Sequence, residues 1–170
     1  RIAIAMIDEA ERSGVLQEGG HIVEATAGNT GIALALVGTL RGYRVSVVVP
    51  DKMAEGKIAH LRALGATVVM ARSDVEKGHP DYYQEVAERI AEKEGAFYSN
   101  QFANEANVDA HYTTTGPEIW EQTNGEVDAV VLGVGSGGTV TGMGRFLKEK
   151  KPSLKLVLAD PEGSVLYQIY

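Results

Sequence analysis

The chain contains no cysteine, which removes a disulfide framework and any thiolate chemistry from its repertoire. It has no tract rich in lysine or arginine. With 16 Lys+Arg against 23 Asp+Glu the formal net charge is −7, which argues against nucleic acid as the main partner. No apolar run is long enough to cross a bilayer and the first residues do not resemble a signal peptide, so no membrane partner is expected. His21, His60, His79 and His111 are scattered without ligand spacing, and no metal site is expected. Internal repeats and low-complexity segments are also missing. These absences fit a cytoplasmic setting. What is left is a chain of 170 residues, 44% hydrophobic and 23% charged, with the composition of a globular protein and enough length for a real core. It begins at Arg1 inside a helical pattern, without Met, and stops at Tyr170 soon after a strand. It reads as a piece of a longer protein, incomplete at both ends.

Strand and helix patterns alternate at short spacing. Strands are predicted at 21–25, 44–49, 67–71, 96–98, 129–132 and 154–160. Helices are predicted at 1–12, 32–40, 53–64, from Pro80 to 94, from about 114 to 123, and at 139–150. The helix 32–40 is apolar nearly all round and is expected to be sandwiched in the fold. The run Ala129–Leu132 reads as a buried strand. The fold class is therefore α/β, with two doubly wound, mainly parallel blocks at roughly 21–98 and 128–160, joined by an Asn-rich loop at 100–107. Two such blocks facing each other would bring their strand C-terminal loops to a shared cleft.

Two glycine loops carry the chemistry. Gly133-Val134-Gly135-Ser136-Gly137-Gly138-Thr139 follows one strand and opens a helix, the geometry that presents backbone N–H groups to an anion. Glycines 135, 137 and 138 allow positive φ and close approach of a phosphate. No lysine follows the last glycine, so this is not a nucleotide-triphosphate loop. Gly133, Gly135 and Gly138 do satisfy G-x-G-x-x-G, with Asp160 22 residues beyond Gly138, so a dinucleotide site competes with a phosphate-ester site. A plain tight β–α turn is the third reading. The other loop, Thr26-Ala27-Gly28-Asn29-Thr30-Gly31, also joins a strand to a helix, and a dinucleotide domain has no need of it. Its amides and hydroxyls suit a carboxylate.

The segments Glu24-Ala25-Thr26-Ala27-Gly28-Asn29-Thr30-Gly31, Leu61-Arg62-Ala63-Leu64-Gly65-Ala66 and Asn100-Gln101-Phe102 resemble the pyridoxal-phosphate-dependent cysteine synthase and cystathionine β-synthase family. His111-Tyr112, Thr115-Gly116-Pro117-Glu118-Ile119 and Gly135-Ser136-Gly137-Gly138-Thr139 continue the match in the family's order. Ala27 stands where many relatives have Ser, and Ala25 where Pro is frequent. Both departures resemble a bacterial cystathionine β-synthase-like branch.

The resemblance implies the fold-type II, tryptophan synthase β-like architecture. An N-terminal domain would cover 1–105, with a mobile block at about 51–94, and a cofactor-phosphate-binding domain would begin at 106 and run through 170. It implies pyridoxal 5'-phosphate as cofactor, its phosphate held by Gly135, Ser136, Gly137, Gly138 and Thr139 and its ring hydroxyl by Asn29. Thr26, Ala27, Gly28, Thr30 and Gln101 would surround the substrate carboxylate. The Schiff-base lysine would lie two positions ahead of Arg1, outside this sequence. The implied reaction is β-replacement on serine or O-acetylserine through an aminoacrylate, with homocysteine favoured over sulfide as the thiol, in a homodimer. An NAD(P)-dependent oxidoreductase and a non-catalytic relative are the more distant alternatives.

Overall fold

Short β-branched runs build the first sheet: β1 (His21–Ala25), β2 (Arg44–Pro50) and β3 (Thr67–Ala71), with β4 (Phe97–Tyr98) at one edge. The computed structural model describes residues 1–164. The strand order is β3-β2-β1-β4 and every pairing is parallel, with Ile22 opposite Val45 and Phe97, and Val47 opposite Val68. Helices fill the crossovers, as parallel pairing requires: α2 (Asn29–Leu40) between β1 and β2, α3 (Glu55–Ala63) between β2 and β3, and α4 (Tyr83–Glu94) before β4. The helix α1 (Ile2–Arg12) precedes β1.

Side chains alternate across this sheet and divide its core. Val23, Ala25 and Val48 face α4, where Ala87 and Ala91 pack against them with Tyr83, Val86 and Ile90. On the other face α2 lies so close that a Cβ at Gly38 would stand 2.7 Å from Val45 and 3.2 Å from Ile22. Only small residues permit that approach. The helix is not sandwiched, however. Leu34 and Ala35 are buried, but Leu36 and Leu40 are exposed on its outer side. An apolar circumference shows that a helix could be enclosed, not that it is.

The second set of elements begins with one unbroken helical run: α5 (Glu105–Ala110), a π-helical turn (His111–Thr115) and α6 (Gly116–Gln122). It replaces both the expected Asn-rich loop and the expected helix start near 114, because Asn104 caps α5 by accepting from the Ala106 N–H at 3.0 Å. Two parallel strands, β5 (Ala129–Leu132) and β6 (Lys155–Leu158), flank α7 (Gly138–Lys150). Met143, Leu147 and Leu154 form the core there, with Trp120, Val130, Phe146 and Leu156 around them. The strand β5 is not buried on both faces: Val131 is 64% exposed, and Val157 beside it in β6 is exposed too. Only one face of this two-stranded sheet is covered by α7 and Trp120 among the described residues.

The chain divides into two compact units, Ile2–Gln101 and Arg1 with the stretch from Phe102 onward. Residues 165–170 of the sequence-expected second domain lie outside the described residues. Pro80 does not open α4. That helix starts at Tyr83 behind Tyr82, and Pro80 belongs to the preceding turn, its carbonyl accepting from Arg89 at 2.9 Å.

Candidate active site

In the first unit the chain leaves β1 at Ala25 and enters α2 at Asn29, three residues earlier than the sequence pattern suggests. Asn29, Thr30 and Gly31 are thus the helix's first turn, whose N–H groups precede any i→i−4 bond. Thr26 is buried; its N–H donates to Val48 O at 3.0 Å, and its hydroxyl accepts from the Gly28 N–H at 3.0 Å. A Cβ at Gly31 would stand 2.7 Å from the Thr26 methyl and 2.8 Å from Val47. Glycine there seats the helix on the sheet rather than freeing a turn. Ala27 and Asn29 are exposed. The Thr30 hydroxyl donates to Gln101 Oε1 at 2.7 Å, which joins the α2 start to the chain beyond β4.

Two charged residues at this loop, Lys57 and Glu24, are not among the expected site residues. Lys57 Nζ lies 3.5 Å from Ala27 O. Glu24 is fully buried under the loop, where it accepts from the Ala25 N–H (2.9 Å), the Ser99 hydroxyl (2.8 Å) and the Gln101 N–H (3.2 Å). Burial pushes its carboxyl up to about 7, against the opposing pull of these hydrogen bonds.

In the second unit β5 ends at Leu132 and α7 begins at Gly138 with Gly137 as its N-cap. Of the three glycines expected to use positive φ, only Gly137 does, at 88°. The first i→i−4 bond of α7 runs from the Thr141 N–H to Gly137 O at 3.0 Å, so the turn from Gly138 to Val140 leads the helix with its amides. Among the described residues Gly135 and Gly137 have no heavy atom within 4 Å of a would-be Cβ, which leaves space over the loop. Gly138 is different. A Cβ there would overlap the carboxamide of Asn107, whose Nδ2 donates to Ser136 Oγ at 2.9 Å and which is 2% exposed.

His111 stands beside it. Its Nε2 is 3.1 Å from Thr139 Oγ1 and its Nδ1 is 2.8 Å from Thr115 Oγ1. Burial, and then the Arg1 charge, hold the His111 pKa below its ordinary value. Neither Asn107 nor His111 announced itself as part of the loop, because both lie about 30 residues upstream on another helix.

The profile of the family described as "Pyridoxal-phosphate dependent enzyme" matches residues 1–169. The chain belongs to that family. Among curated members it is 49% identical to "Cysteine synthase 3" of Caenorhabditis elegans over 168 residues, which is 98% of this chain and 49% of that protein. It is 44% identical to "Cystathionine beta-synthase" of Rattus norvegicus over 167 residues, 98% of this chain and 30% of that protein. Among solved structures, O-ureido-L-serine synthase superposes with a TM-score of 0.91 at 34% identity, over 98% of this chain and 52% of that one. The chain thus spans about half the length of the cysteine synthase it matches.

The family's cofactor, pyridoxal phosphate, meets residues that suit it. A phosphate ester carries nearly two negative charges. The α7 start offers the positive end of a 13-residue helix, two hydroxyls and open space above Gly135 and Gly137. The match extends far beyond one glycine motif, and it favours pyridoxal phosphate over a dinucleotide as the family's cofactor.

Proposed function

We propose that this chain is part of a pyridoxal-phosphate-dependent enzyme that replaces the β-substituent of serine or O-acetylserine with a sulfur nucleophile. The thiol in this reading is homocysteine, making it a cystathionine β-synthase; sulfide, making it a cysteine synthase, is the second reading. Relatives of both names match at similar identity, 49% for one and 44% for the other. The departures at Ala25 and Ala27 favour the first.

One observation carries the proposal: α2 opens at Asn29 with Thr30 bonded to Gln101, giving an anion-binding constellation in addition to the one at the α7 start. A cofactor phosphate and a substrate carboxylate call for two such places. In this assignment Gly135, Ser136, Gly137, Gly138 and Thr139 hold the phosphate, and Asn29 donates to the ring hydroxyl. Thr26, Ala27, Gly28, Thr30 and Gln101 receive the carboxylate. Bound pyridoxal phosphate supplies an electron sink that acidifies the α-proton of an attached amino acid. The chain's own part is to fix phosphate, ring and carboxylate, so that the α-proton is presented to a base in one orientation.

The domain limits 1–105 and 106–170, closure of the block at about 51–94 on a bound carboxylate, and a cytoplasmic homodimer belong to the same proposal. The test is product analysis with the full-length protein loaded with cofactor. Serine or O-acetylserine is supplied with homocysteine or with sulfide. Cystathionine as the faster product supports the first reading and cysteine the second. Formation of neither, with cofactor bound, overturns the proposal.

A further inference from the structure

We propose that Ser46, His21 and Glu94 form a second catalytic site, an acyl-transfer constellation that hydrolyses small carboxylic esters. It stands at the start of β1 and β2, the end of the first sheet opposite to the loop at 26–30, and it is independent of the cofactor reading.

His21 is the first residue of β1, Ser46 lies near the start of β2, and Glu94 ends α4. His21 Nε2 is 2.8 Å from Ser46 Oγ, and among the described residues that hydroxyl has no other hydrogen-bond partner. His21 Nδ1 is 3.1 Å from Glu94 Oε2, near enough for the charge to act on it although not aligned as a hydrogen bond. A carboxylate only accepts, so Glu94 favours the tautomer with its proton on Nδ1. That leaves the Nε2 lone pair to the Ser46 hydroxyl, the relation of base to nucleophile that activates a serine. The imidazole is neutral near pH 7, because burial and then the Arg44 charge hold its pKa below the ordinary value. Packing alone would be better served by apolar residues. His21 and Ser46 are both buried, and two apolar side chains would fill their places without the cost of desolvating polar groups.

The three residues border a cavity of about 380 Å³, large enough for a small molecule, which Arg44 and Thr67 also line. Thr67 is the neighbour of Ser46 across β2 and β3. In the reaction Ser46 Oγ bonds to the ester carbonyl carbon and its proton passes to His21 Nε2, where Glu94 steadies the imidazolium that forms. The bond from that carbon to the oxygen of the leaving alcohol breaks, and this oxygen takes the proton from Nε2. Water then attacks the acyl-serine and gives a proton to Nε2, which returns it to Ser46 Oγ as the carboxylic acid departs. Arg44 and Thr67 supply donors for the negative charge that builds on the carbonyl oxygen.

The test uses the full-length holoenzyme with two probes, a small alkyl fluorophosphonate and p-nitrophenyl acetate. The fluorophosphonate should form a covalent adduct on Ser46 of the wild type, located by mass spectrometry of the peptide that carries it. His21→Gln should slow that labelling by about 100-fold, the usual worth of a positioned general base. Hydrolysis of p-nitrophenyl acetate should fall by about as much in Ser46→Ala. Absence of an adduct on Ser46 at saturating reagent overturns the inference. So does labelling of Ser46 at an unchanged rate in His21→Gln, or ester hydrolysis that Ser46→Ala leaves as it was. Should either variant fail to fold, the adduct on the wild type still decides: its presence on Ser46 supports the site and its absence removes it. Because neither probe depends on the bound cofactor, failure here leaves the β-replacement reading standing.

Discussion

Asn107 donates from Nδ2 to Ser136 Oγ at 2.9 Å, and its carboxamide occupies the space a side chain at Gly138 would need. The loop after β5 is therefore shaped from below by α5 as well as by its own glycines. Gly138 is glycine because of a protein neighbour, whereas the space above Gly135 and Gly137 is open.

That difference separates two alanine substitutions. Gly138→Ala should lower stability by about 1–3 kcal/mol, the usual cost of forcing atoms into a packed place. Gly135→Ala should leave stability within about 0.5 kcal/mol of wild type yet weaken cofactor retention. Urea denaturation of the cofactor-free protein and cofactor loss on dialysis measure the two effects. A stable Gly138→Ala protein would contradict the packing described.

The first loop offers a similar contrast. Gly31→Ala would push on the Thr26 methyl and Val47, at 2.7 and 2.8 Å, with a stability loss of about 1–3 kcal/mol and a higher KM for the amino acid. Among the described residues a Cβ at Gly28 meets only Thr26 Oγ1, at 3.7 Å, so Gly28→Ala should retain wild-type stability. Thermal melts and steady-state kinetics on the two variants check this.

Glu24 should make stability depend on pH. Its carboxyl titrates near 7 in the fold and near 4.5 when unfolded, so the native state holds a proton that the unfolded chain releases between those values. Stability from this group is full below about 4.5 and is lost as pH rises to about 7. The raised pKa corresponds to about 3 kcal/mol. Tyr83 and Tyr98, its titratable neighbours on α4 and β4, are pushed up by burial and stay neutral through this range. Chemical denaturation of wild type and Glu24→Gln at pH 5 and pH 8 isolates the effect. The wild type should lose stability relative to the variant on going to pH 8.

His111 should act in the opposite sense. Its pKa is lowered by burial first, so its contribution is present above 6.5 and is lost as pH falls through the lower folded value. His111→Gln should unfold less steeply with acid than the wild type. A measurement of stability against pH from 7 downward, on both proteins, tests it.

The parallel α/β order was legible because β-branched runs such as Val45–Val49 and Val68–Val69 alternate with amphipathic segments. So were the two glycine loops, whose composition exceeds ordinary turn chemistry. Three features were not legible, for separate physical reasons. Burial depends on neighbours, so the apolar runs 32–40 and 129–132 could not reveal that Leu36, Leu40 and Val131 face outward. Helix starts are set by capping, and Gly28 and Asn104 begin α2 and α5 earlier than periodicity shows. Supporting side chains such as Asn107, His111 and Glu24 reach their loops through tertiary contact, and local spacing holds no trace of that. The family resemblance included Glu24 and His111 in its matching segments but gave neither a role at the loops.

The π-helical turn from His111 to Thr115 looks in sequence like an ordinary threonine-rich stretch, yet it holds one residue more than an α turn would. Each residue of an α-helix advances about 100° around the axis. Deleting one residue here would restore a regular helix and swing Asn107 to another azimuth relative to Glu118. The helix would survive and its hold on Ser136 would not. Length, more than residue identity, is therefore what this stretch cannot change.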